Sequence, residues 1–112
     1  MEATAKLKFA RGSARKARLV LDTIRNKKVS EAQTILRFSR RRAAGPIYKL
    51  LESAIANAQQ QDPRINLDEM IVSQAMADEG PQMKRYKPRA RGRAFMIRKP
   101  TCHISLAIQS LE

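Results

Sequence analysis

"MIVSQAMADEGPQMKRYKPRARGRAFMIRKPTCHISLAIQ", residues 70–109, decides the fold. Both of its ends have strand character. Residues 70–81 read as a strand that stops at the Gly80 and Pro81 break. At the other end Ile104, Leu106 and Ile108 alternate with Ser105, Ala107 and Gln109, the period of a half-buried strand. Between them, "KRYKPRARGRAFMIRKP", residues 84–100, holds eight Lys or Arg in seventeen positions and no acid. If the two strands continue toward each other they form one hairpin. Its arms would be about 11 residues, or about 35 Å at roughly 3.3 Å per residue. Such an arm protrudes beyond any body this chain can build.

The rest of the chain supplies that body. With 112 residues it is long enough for one modest core and one domain. Ala3, Ala5, Leu7 and Phe9 alternate with Thr4, Lys6 and Lys8, so a first strand runs over about residues 3–11 and Gly12 breaks it. Ser13 is placed as an N-cap. After it Ala14, Ala17, Leu21 and Ile24 fall on one helical stripe, and Arg15, Arg18, Asp22 and Arg25 on another. A second helix starts at Ser30, whose capping-box partner is Gln33, turns Ala32, Ile35 and Leu36 inward, and ends in the run Arg40, Arg41, Arg42. In a third, Ile47, Leu50, Leu51, Ala54, Ile55 and Ala58 recur at three-and-four spacing, with Pro46 in the first turn. "QQDPRINLDE" is a connection, because Pro63 prevents further helix. No repeat and no interdomain linker interrupts this order.

Charge points to the partner. Lys and Arg number 23 against 10 Asp and Glu, a formal net charge of +13, with a pI near 10.9. In a domain of roughly 13 Å radius of gyration, such charge repels itself across distances comparable with the roughly 8 Å Debye length of physiological salt. The compact state therefore wants a polyanion. Cys102 is the one cysteine, so no internal disulfide or cysteine-pair zinc site forms, and a reducing compartment is the default. No apolar run approaches the roughly 18 residues of a membrane span, and the N-terminal residues lack a secretory segment, so the chain is expected to be soluble and cytosolic.

A basic run is ordinarily a solvated loop, and an isolated two-stranded hairpin is marginal in water. This one offers only Met83, Tyr86, Phe95, Met96 and Ile97 as sizeable apolar groups, so free in solution it is expected to be mobile. Three features favour binding. Arg dominates the tip at Arg89, Arg91 and Arg93, and the guanidinium fork matches phosphate. Pro88 and Gly92 shape the backbone there. Further cations gather at Arg11, Arg15, Lys16 and Arg18 and at Arg40 to Arg42, and separated basic patches suit the separated backbones of folded RNA better than one DNA duplex.

Other functions fit less well. His103 sits beside Cys102, but neighbours in a strand point to opposite faces and cannot act as base and nucleophile; a packed or RNA-contacting histidine is the plainer reading. The acids Asp62, Asp68, Glu69, Asp78 and Glu79 show no metal-site spacing, so no metal, cofactor or catalytic residue is expected. A nucleoid DNA-binding protein matches the charge but shows no helix-turn-helix or zipper pattern. A membrane-active protein would need a basic helix opposite a bulky apolar face, and the basic arm has strand and turn character.

"GSARKARLVLDTIRNKKVSEAQTILRF", "SAIANA", "DEGPQMKRYKPRARGRA" and "KPTCHI", in that order, resemble the bacterial-type large-subunit ribosomal protein L22 family over essentially the whole chain. Departures are local: Ala14 stands where the family commonly has Pro, Cys102 where Ser is usual, and Gly45 is an extra residue before Pro46. The resemblance implies an α+β fold, a three-stranded antiparallel sheet packed with three helices plus a long protruding β-hairpin. The body would be about residues 1–79 and 104–112, the basic hairpin about 80–103. It implies a cytoplasmic, non-enzymatic component of the large ribosomal subunit, although an organellar ribosome would suit it equally. The implied partners are large-subunit 23S-type rRNA, neighbouring ribosomal proteins and the nascent polypeptide, with no membrane. Arg11, Ser13, Arg15, Lys16, Arg18, Arg40, Arg41, Arg42, Lys84, Arg85, Lys87, Arg98 and Lys99 are the expected rRNA-binding residues. Pro88, Arg89, Ala90, Arg91, Gly92, Arg93 and Ala94 are the expected tip, lining the peptide tunnel near its macrolide-binding constriction.

Overall fold

The computed structural model describes residues 2–88 and 94–110, with backbone alone for residues 83, 85–88 and 94–98. The expectations for Arg89, Ala90, Arg91, Gly92 and Arg93, including mobility of the tip, lie outside the described residues. In chain order the elements are β1 (Glu2–Arg11), α1 (Ala14–Ile24), α2 (Val29–Phe38), α3 (Ala44–Gln61), a 3-10 turn (Leu67–Glu69), β2 (Met70–Glu79), β3 (Met83–Pro88), β4 (Ala94–Lys99) and β5 (Thr101–Ser110). β1, β5 and β2 form an antiparallel sheet in that order, and β3 pairs with β4 alone. The fold is the expected α+β, three helices and a three-stranded sheet with a separate two-stranded arm.

The periodicities explain the packing. Ala14, Ala17, Leu21 and Ile24, with Val20, form the buried stripe of α1, and Ile47, Leu50, Leu51, Ala54, Ile55 and Ala58 that of α3. α3 covers β1, α1 covers β2, and α2 closes the layer against α3. Beneath them Ala3 and Ala5 of β1, Val72, Ala75 and Ala77 of β2, and Ile104, Leu106 and Ile108 of β5 complete one core. β5, last in sequence, is central, which is why Thr101, Cys102 and Ala107 are buried with its apolar residues.

Three local expectations need correction. α2 starts at Val29 with Lys28 in the cap position and no side-chain cap, so Ser30 caps nothing. Tertiary pairing sets this start: Asn26 N–H donates to Val72 O at 2.9 Å, Val72 N–H donates to Lys27 O at 2.9 Å, and Lys28 bridges to Ile71. Arg40 to Arg42 follow the end of α2 at Phe38 and lie in the connection to α3. The alternation of β1 fails at Phe9, where a bulge between Leu7 and Ala10 turns the ring outward.

The arm makes the molecule long. Its Cα radius of gyration is 17.1 Å and its extents are 64 × 24 × 16 Å, against the roughly 13 Å radius of a compact domain of this size. The join is tight. Gly80 N–H donates to Thr101 O at 2.9 Å, Gly12 N–H to Pro100 O at 3.1 Å, and the Thr101 hydroxyl to Pro81 O. β5 thus begins at Thr101, and residues 101–103, read from sequence as the foot of the arm, pair with β1 and β2 in the body's sheet.

Candidate nucleic-acid interface

The cations begin at the end of β1. Gly12, at φ 123°, takes a backbone that side-chain-bearing residues rarely adopt and carries the chain off the sheet. Ser13 follows in an extended conformation, and its Oγ accepts the Lys16 N–H at 3.2 Å, the cap its sequence position predicts. With α1 started here, Ala14 and Ala17 turn into the core while Arg15, Lys16 and Arg18 stay at the surface. Arg11 is exposed on the other side of the turn.

The three-residue run before α3 meets the same place. Arg42 joins Arg11, Gly12, Ser13 and Lys16 around a cleft of about 380 Å³, whose apolar walls include Ala17, Ala43, Pro46, Cys102 and Ile104, with Pro100 at the foot of the arm. Two patches that the sequence separates by some 25 residues are therefore one surface. Like charges brought together in this way repel one another and lower the cost of receiving an anion. Arg40 and Arg41 are exposed in the same connection, where Arg41 N–H donates to Ser39 Oγ at 3.3 Å.

Arg18 belongs elsewhere. Its Nε donates to Ala77 O at 3.0 Å, and two turns on, at the end of α1, Arg25 Nη2 donates to Ala75 O at 2.6 Å while its other nitrogen pairs with Asp22. These two arginines of the basic stripe clip α1 to β2, and Lys16 lies on another side of the helix. Lys16 serves the cleft, whereas Arg18 is partly used in holding the body together. Burial pushes the Cys102 thiol above its usual range, and the Arg18 charge opposes that shift. The thiol is thus kept neutral in the wall of the cleft.

On the arm Lys84 stands opposite Arg98, Arg85 opposite Ile97, Lys87 opposite Phe95 and Met83 opposite Lys99 in the strand register. Lys84 and Lys99 are exposed. Pro88 pairs with Ala94 and ends the described ladder. The arm's foot, through Pro100, adjoins the cleft, so the arm leaves the body beside these cations.

Residues 5–109 match the model of the family described as ribosomal protein L22p/L17e. The chain belongs to that family. It is 52% identical over 112 residues to the large ribosomal subunit protein uL22 of Thermoanaerobacter sp. (strain X514), covering 100% of both chains. With the protein of that name from Syntrophotalea carbinolica it shares 50% identity over 108 residues, 96% of this chain and 97% of the relative. With that from Acaryochloris marina the identity is 48% over 108 residues, 96% and 89%. The protein is accordingly a ribosomal protein with a structural, non-enzymatic part to play. Among the described residues no helix is long and apolar enough to cross a membrane.

The fold also assembles cations that local patterns did not single out. Lys6 of β1 and Lys49 of α3 flank a second groove of about 500 Å³, which shares Pro46 with the first. Lys6 lies on the polar alternation of β1 and Lys49 on the outer side of α3. Each was visible singly, but only the packing of α3 over β1 brings them together.

Proposed function

We propose that this protein is an rRNA-binding structural component of the large ribosomal subunit, whose body seats on 23S-type rRNA near the tunnel exit and whose arm lines the nascent-peptide tunnel. One domain does both, with the body holding the sheet and helices and the arm holding β3, β4 and the residues between them. The observation that carries the reading is the arm: two strands paired only with each other, with basic residues and no acid over residues 84–100. A hairpin of this composition lacks an apolar core of its own and suits a surrounding of phosphates.

In this reading Arg11, Ser13, Lys16 and Arg42 hold rRNA at the cleft, with Arg15, Arg40 and Arg41 beside it and Arg18 giving only part of its charge. Lys84, Arg85, Lys87, Arg98 and Lys99 take phosphates along the arm, and Pro88 to Ala94 form the tunnel-lining tip. Neighbouring ribosomal proteins and the nascent chain complete the partners, and the protein aids subunit assembly in the cytoplasm. Two experiments test this. The protein should sediment with large subunits in moderate salt; recovery with the nucleoid instead would refute the assignment. Ribosomes lacking residues 87–95, the arms rejoined by a short turn, should assemble nearly normally but respond differently to macrolides or pause differently on a stalling peptide. Wild-type behaviour in both assays would reduce the tip to an RNA anchor.

A further inference from the structure

Phe9 sits at φ 59° and is 61% exposed. A bulky side chain seldom takes that backbone, and a ring left in water gains no burial to offset the strain. The strain is held by its surroundings. The register of β1 on β5 steps from Leu7 opposite Ile104 to Ala10 opposite Cys102, which leaves Lys8 and Phe9 together facing His103. Phe9 N–H donates to His103 Nδ1 at 3.0 Å, so the neutral imidazole carries its proton on Nε2. The two rings meet edge to face with centroids 4.9 Å apart and planes at 88°. The outcome is a braced aromatic ring presented to solvent.

Its setting is cationic. Lys8 is exposed beside it, and Arg11, two residues on, stands at the rim of the cleft. Asp78 is in register with His103, but on β2, across the central strand from β1. An apolar protein partner would call for a continuous apolar patch, whereas Phe9 is a single ring among lysine and arginine. A nucleobase offers a π-face for the ring and a phosphate for each cation. We propose that Phe9, braced by His103, is a stacking platform for an unpaired base of the RNA whose phosphates lie along the Arg11, Lys16 and Arg42 cleft. This rests on the rRNA-binding reading above and adds to it the contact that is not electrostatic.

Stacking and phosphate neutralisation respond differently to salt, and that separates them. Against protein-free rRNA from large subunits, Phe9→Ala should bind about 5- to 150-fold more weakly while the slope of log affinity against log salt stays that of wild type. Phe9→Gly should lose affinity equally, yet keep or raise the thermal midpoint, because glycine accepts the positive φ. The chain contains no Trp, so Phe9→Trp places a lone indole at the platform. It should retain near-wild-type affinity and be quenched by rRNA but not by heparin, a polyanion without bases. Undiminished binding by both Phe9→Ala and Phe9→Gly, or equal quenching by heparin, would overturn the proposal. So would normal rRNA binding with failed entry into subunits, which would mean that a protein neighbour covers the ring. If wild type itself does not bind the rRNA, the rRNA reading fails first and the platform falls with it, a result visible without any variant.

Discussion

β4 and β5 are separated by one residue, Pro100, and have opposite surroundings. β5 is flanked by β1 and β2, and Cys102, Ile104, Leu106 and Ile108 face the helices. β4 pairs with β3 and with nothing else in the sheets. The backbone chemistry is the same on both sides of the proline, so the difference lies in what the side chains can bury. "TCHISLAIQS" supplies an apolar face every second residue, whereas the arm spends its positions on Lys and Arg. Hydrogen-bonded ladders add little net stability in water. The body can fold through burial, and in the proposed reading the arm takes its setting from a partner of opposite charge.

Damage to the body and damage to the arm should differ most in their effect on stability. Leu51, fully buried in α3, touches the centre of the core. Leu51→Ala should cost about 2–5 kcal/mol of unfolding free energy, from lost burial and the cavity left behind. Deleting residues 87–95 removes part of a ladder whose two strands pair with each other and not with the body's sheet, and its denaturation midpoint should match wild type. A comparable loss in both variants would mean that the arm and the body share one cooperative unit.

Much of that division was legible beforehand. The stripes of α1 and α3 and the alternation of β5 are local periodicities, and burial follows them except where the central position of β5 also buries Thr101 and Ala107. Features that failed depend on distant segments. Ser30 has good capping chemistry, but pairing of residues 26–28 with β2 fixes the start of α2 first. Phe9 fits the strand period, yet a bulge opposite His103 reverses its side. Arg18 looks equivalent to Arg15 on the polar stripe of α1; only the position of β2 gives it the Ala77 carbonyl. The cleft needs Arg42 beside Lys16, a proximity that no local pattern encodes.

The two arginine settings predict a smaller but more informative effect. Replacing Arg11, Lys16 and Arg42 together by Ala should weaken rRNA binding and flatten its salt dependence by about two units, at roughly 0.7–0.9 per phosphate released from contact. Replacing Arg18 and Arg25 should flatten it by less than about one unit and should lower stability instead, since both guanidinium groups hold carbonyls of β2. Equal slopes for the two sets would place both faces of α1 against RNA and remove the distinction between them. Binding isotherms at several salt concentrations, paired with denaturation midpoints, measure both quantities.

The least disruptive test acts where arm and body join. A Cβ placed on Gly80 would come within 2.6 Å of Thr101 Oγ1 and 3.2 Å of His103 Nε2, so Gly80→Ala must displace the hydroxyl that donates to Pro81 O. Because that hydroxyl is part-buried, losing its partner should cost about 1–2 kcal/mol, well below the loss at Leu51. The origin is steric contact with one side chain, and a double-mutant cycle can isolate it. In a Thr101→Ala background, where the clashing oxygen is absent, Gly80→Ala should cost measurably less than in wild type. Additive costs would show that the two residues do not press on each other. The foot of the arm would then be slack, and the direction in which β3 leaves the body would have to be set by the bound RNA and not by the packing of Gly80 on Thr101.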